Sequence, residues 1–182
     1  MRLKEGAQAI DFFVSDYKNR TVRLSEHRGH KVLLSFFRDA FCPFCNLRVH
    51  HLIKNFDEFN RFQLDIIAFF AASKEDVYEN AGQQRAPFPI VADPDLRWYK
   101  EYGVESSPMG LFRAVMNPIA MFKVMKSGFF NLASITKKPL IPADFLIDEH
   151  QVIQKAYYGQ DYGDHIPINE ILSWIKIKKL ST

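Results

Sequence analysis

A short apolar run that hands over to a helix through two cysteines constrains this chain more than any other feature. Lys31 to Arg48 reads KVLLSFFRDAFCPFCNLR, and Cys42 and Cys45 are the only cysteines in the sequence. Val32, Leu33, Leu34, Ser35, Phe36 and Phe37 make a nearly continuous β-prone stretch, the pattern of a strand covered on both faces. After Cys45 the apolar residues Val49, Leu52, Ile53, Phe56 and Phe59 fall at three- and four-residue spacing, which predicts a helix with one buried face. The pair is thereby placed at a helix N-terminus, where unpaired N–H groups and the positive end of the dipole favour an anion.

That placement has chemical consequences. A thiol reacts as its thiolate, and such a site lowers the ordinary cysteine pKa of about 8.5 by one to several units. Arg38 and Arg48 flank the pair and act in the same direction. Pro43 suits the first turn of a helix. The two-residue spacing lets the second sulfur attack a mixed disulfide on the first, so the pair can cycle between dithiol and disulfide. Cys42 and Cys45 are therefore the expected reactive centre, with Arg38 as thiolate stabiliser or as a salt-bridged residue. Zinc binding with His50 and His51 is the competing reading, weakened because adjacent helical positions point about 100° apart and zinc wants four converging ligands. An inert pair is the third.

At 182 residues the chain suits one domain, 1–182, with a sizeable core. A formal charge of +3 is too small to argue for nucleic acid, and the C-terminal KIKK reads as the positively charged end of a last helix. The opening MRLKEGAQAIDFF lacks an apolar signal core, and no apolar run reaches the ~18 residues needed to span a membrane. A cytoplasmic location is the expectation, and a lone C-x-x-C there reads as catalytic rather than as a structural staple.

Along the chain, Ile10–Val14 and Thr21–Leu24 read as short strands around a turn-rich Asp16–Arg20. Phe62–Phe70 reads as a second buried strand. Ser73 caps a helix running to about Gly82. Phe88–Val91 is a short strand, and Asp93-Pro94-Asp95 caps a helix that stops at Gly103. Residues 104–139 break the rhythm with Met109, Met116, Met121 and Met125 among several phenylalanines. They are expected to form a helical insertion that packs on the body or serves as a lid or dimer surface, since flexible methionines suit adaptable contacts. Ala143–Ile147 and Val152–Tyr158 read as a hairpin, followed by a final amphipathic helix through Ile168, Ile171, Leu172 and Ile175. Asp65 reads as a hydrogen-bonded structural acid, His50 and His51 as helix-surface residues, and Trp98 and Trp174 as core or interface. Alternating strands and helices closed by a hairpin and a helix imply a three-layer α/β domain on a mixed sheet.

This order resembles the thioredoxin fold in its peroxiredoxin-like form, the alkyl hydroperoxide reductase/thiol-specific antioxidant family. The likeness covers nearly the whole chain apart from 104–139. Gly6-Ala7-Gln8-Ala9-Ile10-Asp11-Phe12 is similar to the family's opening G-x-x-A-P-D-F, with Ile10 in place of proline. Val22-Arg23-Leu24-Ser25 with Arg28-Gly29, then Phe88 to Pro94 and Tyr102-Gly103-Val104, resemble its next signatures. The chain also departs from the family. Peroxiredoxins carry threonine or serine three residues before the peroxidatic cysteine and proline four before that. Cys42 and Arg38 occupy those places if Cys45 is peroxidatic, and Asp39 and Ser35 if Cys42 is. Where the family has arginine before the late strand, this chain has Pro142 in PADFLID. Pro142 instead resembles the cis-proline of thioredoxin-like disulfide reductases, with Pro108 the other candidate. Cys-Pro-Phe-Cys is similar to the glutaredoxin motif. Ser35 stands where thioredoxin has a buried acid, so a base for the resolving thiol must come from elsewhere, Asp39 being one candidate.

The resemblance implies a thiol–disulfide oxidoreductase in which Cys42 attacks, Cys45 resolves, and Pro142, Pro43 and Phe44 meet the substrate. A thiol peroxidase acting on hydrogen peroxide or organic hydroperoxides is the second reading, and a binding protein with an unreactive pair the third. Implied partners are a protein or small disulfide or a hydroperoxide, with thioredoxin or glutathione as electron donor and a homodimer through the insertion. No cofactor, metal, nucleic acid or membrane is expected.

Overall fold

The computed structural model describes residues 1–106 and 139–177, with Pro118, Phe122, Met125 and Lys126 between them. The apolar run after the first loop is strand β3 (Lys31–Phe37), and all seven of its residues are buried. It lies at the centre of a five-stranded sheet. β4 (Leu64–Phe70) pairs beside it in parallel, followed outward by the short parallel β5 (Ile90–Ala92). On its other side β6 (Ala143–Ile147) runs antiparallel, with β7 (Ile153–Tyr158) antiparallel beyond. A separate hairpin of β1 (Phe13–Ser15) and β2 (Thr21–Arg23) completes the strands.

Because β3 is covered on both faces, its side chains split by parity between two cores. Leu33 and Phe37 join a cluster with Val49, Leu52, Phe59, Ile171 and Ile175, under helices α1 (Pro43–Lys54), α2 (Phe56–Arg61) and α5 (Ile168–Ile177). Val32, Leu34 and Phe36 join Phe12, Tyr99, Tyr102 and Phe145, under α4 (Arg97–Glu101) and the N-terminal segment. This is the three-layer thioredoxin-like arrangement on a mixed sheet that the sequence implies.

Local signals are realised where caps were expected. Ser73 Oγ accepts the Asp76 N–H at the start of α3 (Lys74–Glu79). The Asp93 carboxylate accepts the N–H groups of Arg97 and Trp98. Gly103 closes α4 at φ +66°, and a Cβ there would lie 2.4 Å from the Met1 carbonyl oxygen. The single helix expected beyond Cys45 is two, because Asn55 adopts φ −102° and ψ 6° between α1 and α2 while its amide donates to the His51 carbonyl. The expected Ile10–Val14 strand is shifted to Phe13–Ser15.

Most of the 104–139 segment lies outside the described residues. Its two ends meet: Ser106 bridges Leu140, and Ile141 N–H donates to the Glu105 carbonyl. No helix among the described residues is long and apolar enough to cross a membrane.

Candidate active site

The C-terminal end of β3 delivers the chain into the turn 38–42. There Asp39 shapes the backbone, its carboxylate accepting the Phe41 N–H at 2.9 Å and its carbonyl the Cys42 N–H at 3.2 Å. Cys42 has extended dihedrals and occupies the N-cap, and Pro43 opens α1, where a missing N–H costs nothing. Asn46, buried one turn in, ties the turn down by donating to the carbonyls of Ala40 and Cys42. Gln84 donates to Asn46 from the far side. Asp39 thus shapes the turn that carries the pair.

Both cysteines are free thiols with no exposed surface. They are hydrogen-bonded to one another, and their properties split accordingly. At Cys42, burial raises the pKa. The hydrogen bond from Cys45, the Arg38 charge, and the N–H groups of Cys45 and Phe44 outweigh that, and the thiol ends below its ordinary value. At Cys45, burial together with the hydrogen bond and charge of Cys42 pushes the thiol well above it. Cys42 is thereby the more acidic sulfur of the pair and Cys45 the less acidic one.

Arg38 is buried, with its guanidinium 4.2 Å from the centre of the Tyr162 ring. Tyr162, itself buried, feels the charge of Cys42. One residue on, Gly163 packs against Phe44, a Cβ on it falling 3.1 Å from the ring. The segment 159–165 therefore lies against Arg38 and Phe44, neighbours of Cys42 in the turn. Phe44 is half-buried and Pro43 fully buried. Pro142 is also buried, one position beyond the Phe36–Ala143 register pair. The described residues contain no cis peptide bond, so the expected cis bond at Pro142 is corrected to trans. Its carbonyl accepts the Gly159 N–H at 2.9 Å, which continues the β6–β7 ladder and calls for an extended entry. Pro108 lies outside the described residues.

The acid that the sequence reading did not find is on the neighbouring strand. Asp144, fully buried on β6, is the register partner of Ser35. Its carboxylate accepts from His165 Nδ1 at 3.0 Å and from the Ile166 N–H at 2.8 Å. Arg48, on α1, reaches the same carboxylate at 3.5 Å. Burial would raise this carboxyl, but the charges and hydrogen bonds of His165 and Arg48 hold it down to about 2. A lone aspartate inside the apolar string ADFLI was the available signal, since a buried charge needs partners. Which residues those would be lay 96 and 21 positions away.

The remaining expectations fall out simply. His50 and His51 are exposed on α1 while the cysteines are buried, so the four do not converge as zinc ligands. Asp65 is half-buried and bonded to both His27 and His30, the structural role expected. Trp98 and Trp174 are partly buried against the two cores.

Comparison with known proteins agrees with this picture. Residues 6–156 match the AhpC/TSA family. The chain is 30% identical over 106 residues to the thiol-disulfide oxidoreductase ResA of Halalkalibacterium halodurans, a match covering 58% of this chain and 60% of that protein. It is 28% identical over 110 residues to peroxiredoxin Bcp of Escherichia coli, covering 59% of this chain and 70% of that one. Among solved structures, peroxidoxin BcpB of Mycobacterium tuberculosis superposes with a TM-score of 0.69 at 17% identity, over 97% of this chain and 98% of its own. A reduced 2-Cys peroxiredoxin of Plasmodium vivax gives 0.68 at 18%, over 97% and 82%. These structures share the fold.

Proposed function

The chain belongs to the AhpC/TSA family, and from that premise we propose that it is a thiol–disulfide oxidoreductase working through Cys42 and Cys45. The observation that carries this reading is the unequal pair: Cys42 lowered by Arg38 and by a hydrogen bond from Cys45, and Cys45 raised by the same contact. Cys42 thiolate attacks one sulfur of a substrate disulfide, and the other sulfur leaves as thiolate. Cys45 then loses its proton and attacks Cys42 Sγ. The pair ends as a disulfide and the substrate as a dithiol. A reducing partner, thioredoxin or glutathione by class, returns the pair to dithiol, in a reducing compartment such as the cytoplasm.

Since neither sulfur is exposed, attack requires the surroundings of the pair to open, and the segment 159–165 on Arg38 and Phe44 is the part of those surroundings nearest the turn among the described residues. Phe44, half-buried at the rim, and Pro142, at the end of the strand beside β3, are the substrate contacts in this reading. Pro43 acts beneath them by starting the helix.

The same burial supports a second reading, because a hydroperoxide needs a smaller opening than a protein disulfide. Cys42 thiolate attacks the O–O bond, an alcohol or water leaves, and the sulfenic acid condenses with the Cys45 thiol, releasing water and forming the disulfide. Reduced protein mixed with insulin, with oxidised glutathione and with hydroperoxides separates the two. Disulfide turnover lost in Cys42→Ser supports the first reading. Peroxide consumption that persists in Cys45→Ser with an added thiol supports the second. Cysteines that react no faster than a free thiol rule out both.

A further inference from the structure

Resting on the oxidoreductase reading above, we infer that Tyr162 is a positioning residue for Cys42: its ring holds the Arg38 guanidinium at the turn that carries the pair and keeps water from it. Tyr162 stands in the polar loop Gly159-Gln160-Asp161-Tyr162-Gly163-Asp164-His165. Gln160 and Gly163 are exposed, whereas Tyr162 is only 2% exposed. A ring turned inward from so polar a loop needs a receiving surface, and Arg38 supplies part of it. The guanidinium carbon lies 4.2 Å from the ring centre, well inside the ~6 Å over which a ring face attracts a cation. Arg38 is itself 2% exposed, and a buried cation is costly unless its surroundings replace water.

The loop is braced on both sides of the ring. At its start the Gly159 N–H donates to the Pro142 carbonyl at 2.9 Å. The Asp164 carboxylate accepts the Tyr157 hydroxyl at 2.6 Å and the Gln160 N–H at 2.8 Å. The Asp161 carboxylate accepts the Gly163 N–H at 2.8 Å, and beyond the loop the Ile166 N–H donates to the Asp144 carboxylate at 2.8 Å. Gly163 meets the Phe44 ring of the Cys-Pro-Phe-Cys turn, where a Cβ would fall 3.1 Å away. Both flanks of Tyr162 are thus fixed by bonds that its own side chain does not make, and the ring is delivered to Arg38.

The chemical consequence runs through charge. Among the described residues the charged and titratable groups acting at the pair are Arg38 at the end of β3, the two cysteines on each other, Tyr162 in the loop, and Tyr99 of α4, which feels Cys45. Opposite charges attract far more strongly where water is excluded than where it screens them. A ring over the guanidinium therefore preserves the hold of Arg38 on Cys42. A mere cover predicts the opposite sign. Burial raises the Cys42 thiol and Arg38 lowers it. Removing a residue that only covers the site admits water and lowers the thiol further, whereas removing one that acts through Arg38 raises it.

Iodoacetamide alkylation of the reduced protein across a pH series reads the titration midpoint of Cys42, the more acidic sulfur. Tyr162→Leu keeps apolar cover and loses the ring, and is expected to raise the midpoint, as Arg38→Met does. Tyr162→Phe keeps the ring face and is expected to leave the midpoint in place. In an Arg38→Met background, Tyr162→Leu is expected to add nothing, since the two act as one unit. A midpoint that falls or stays put in Tyr162→Leu overturns the proposal. So does a further rise in the Arg38→Met background, or a Tyr162→Phe midpoint that moves as far as that of Tyr162→Leu. If Tyr162→Leu does not fold, Tyr162→pentafluorophenylalanine decides, because it keeps the shape of the ring and reverses the charge of its face. Its midpoint is expected above that of Tyr162→Phe, and an equal one overturns the proposal. A low wild-type midpoint with Tyr162→Leu unmoved refutes the positioning role alone, whereas wild-type thiols that react no faster than a free thiol refute the oxidoreductase reading itself.

Discussion

Replacing Asp144 tests whether a buried charge holds the site together. Its carboxylate is fully buried and ties three elements: α1 through Arg48, β6 itself, and the segment entering α5 through His165 and the Ile166 N–H. Asp144→Ala strands a nearly buried guanidinium and leaves two N–H donors unmet. Removing one partner of such a pair costs about 3–5 kcal/mol, and at ~2–4 °C per kcal/mol for a chain of this length the melting temperature should fall by roughly 6–20 °C. Asp144→Asn keeps the volume and one acceptor oxygen and loses the charge, for a cost of about 2–3 kcal/mol. The pH dependence gives an independent figure. Folding lowers this carboxyl from 3.8 to about 2, which at about 1.4 kcal/mol per unit corresponds to roughly 2–3 kcal/mol. A depressed carboxyl contributes that stability in full above its unfolded pKa and loses it as pH falls through the folded value. The gap between wild type and Asp144→Asn should therefore be full at pH 7 and 5 and narrow from about pH 4 toward 2. Urea titrations across that range measure it. An Asn variant within about 0.5 kcal/mol of wild type at pH 7, or a gap that does not shrink in acid, would refute the argument.

Three further outcomes follow from particular contacts. Arg38→Met should raise the Cys42 thiol, whose lowered value depends partly on that charge, and slow its alkylation by iodoacetamide at pH 6 relative to wild type. Tyr99→Phe removes a hydroxyl whose single proton lies between the carbonyls of Phe37 and Phe69, both within hydrogen-bond distance. It should cost about 1–3 kcal/mol in denaturant titrations without altering Cys42 reactivity. Gly103→Ala must hold a left-handed φ with its Cβ against Met1 and Arg2. A loss of at least ~1–2 kcal/mol is expected, with faster proteolysis at the N-terminus.

Much of this fold was legible because it is written in short-range patterns. The buried strand, the Ser73 and Asp93 caps, Gly103 and the late hairpin each depend on residues within a few positions of one another. The break at Asn55 escaped because the apolar spacing runs on through it, while a side-chain bond to the His51 carbonyl ends the helix. The trans geometry of Pro142 escaped because the local sequence admits either X-Pro isomer.

By itself the sequence determined the cysteine pair, the strand that leads to it and the helix that begins with it, since local spacing and a helix N-terminus suffice to place two sulfurs together. Tertiary structure alone decided what surrounds them. Only when β7 returns alongside β6 does the segment 159–165 come onto Arg38 and Phe44, beside the buried cysteines. Only the pairing of β3 with β6 puts Asp144 opposite Ser35 and within reach of Arg48 and His165. Burial, and the charge balance that burial enforces, are properties of contacts distant in sequence, and no local pattern carries them.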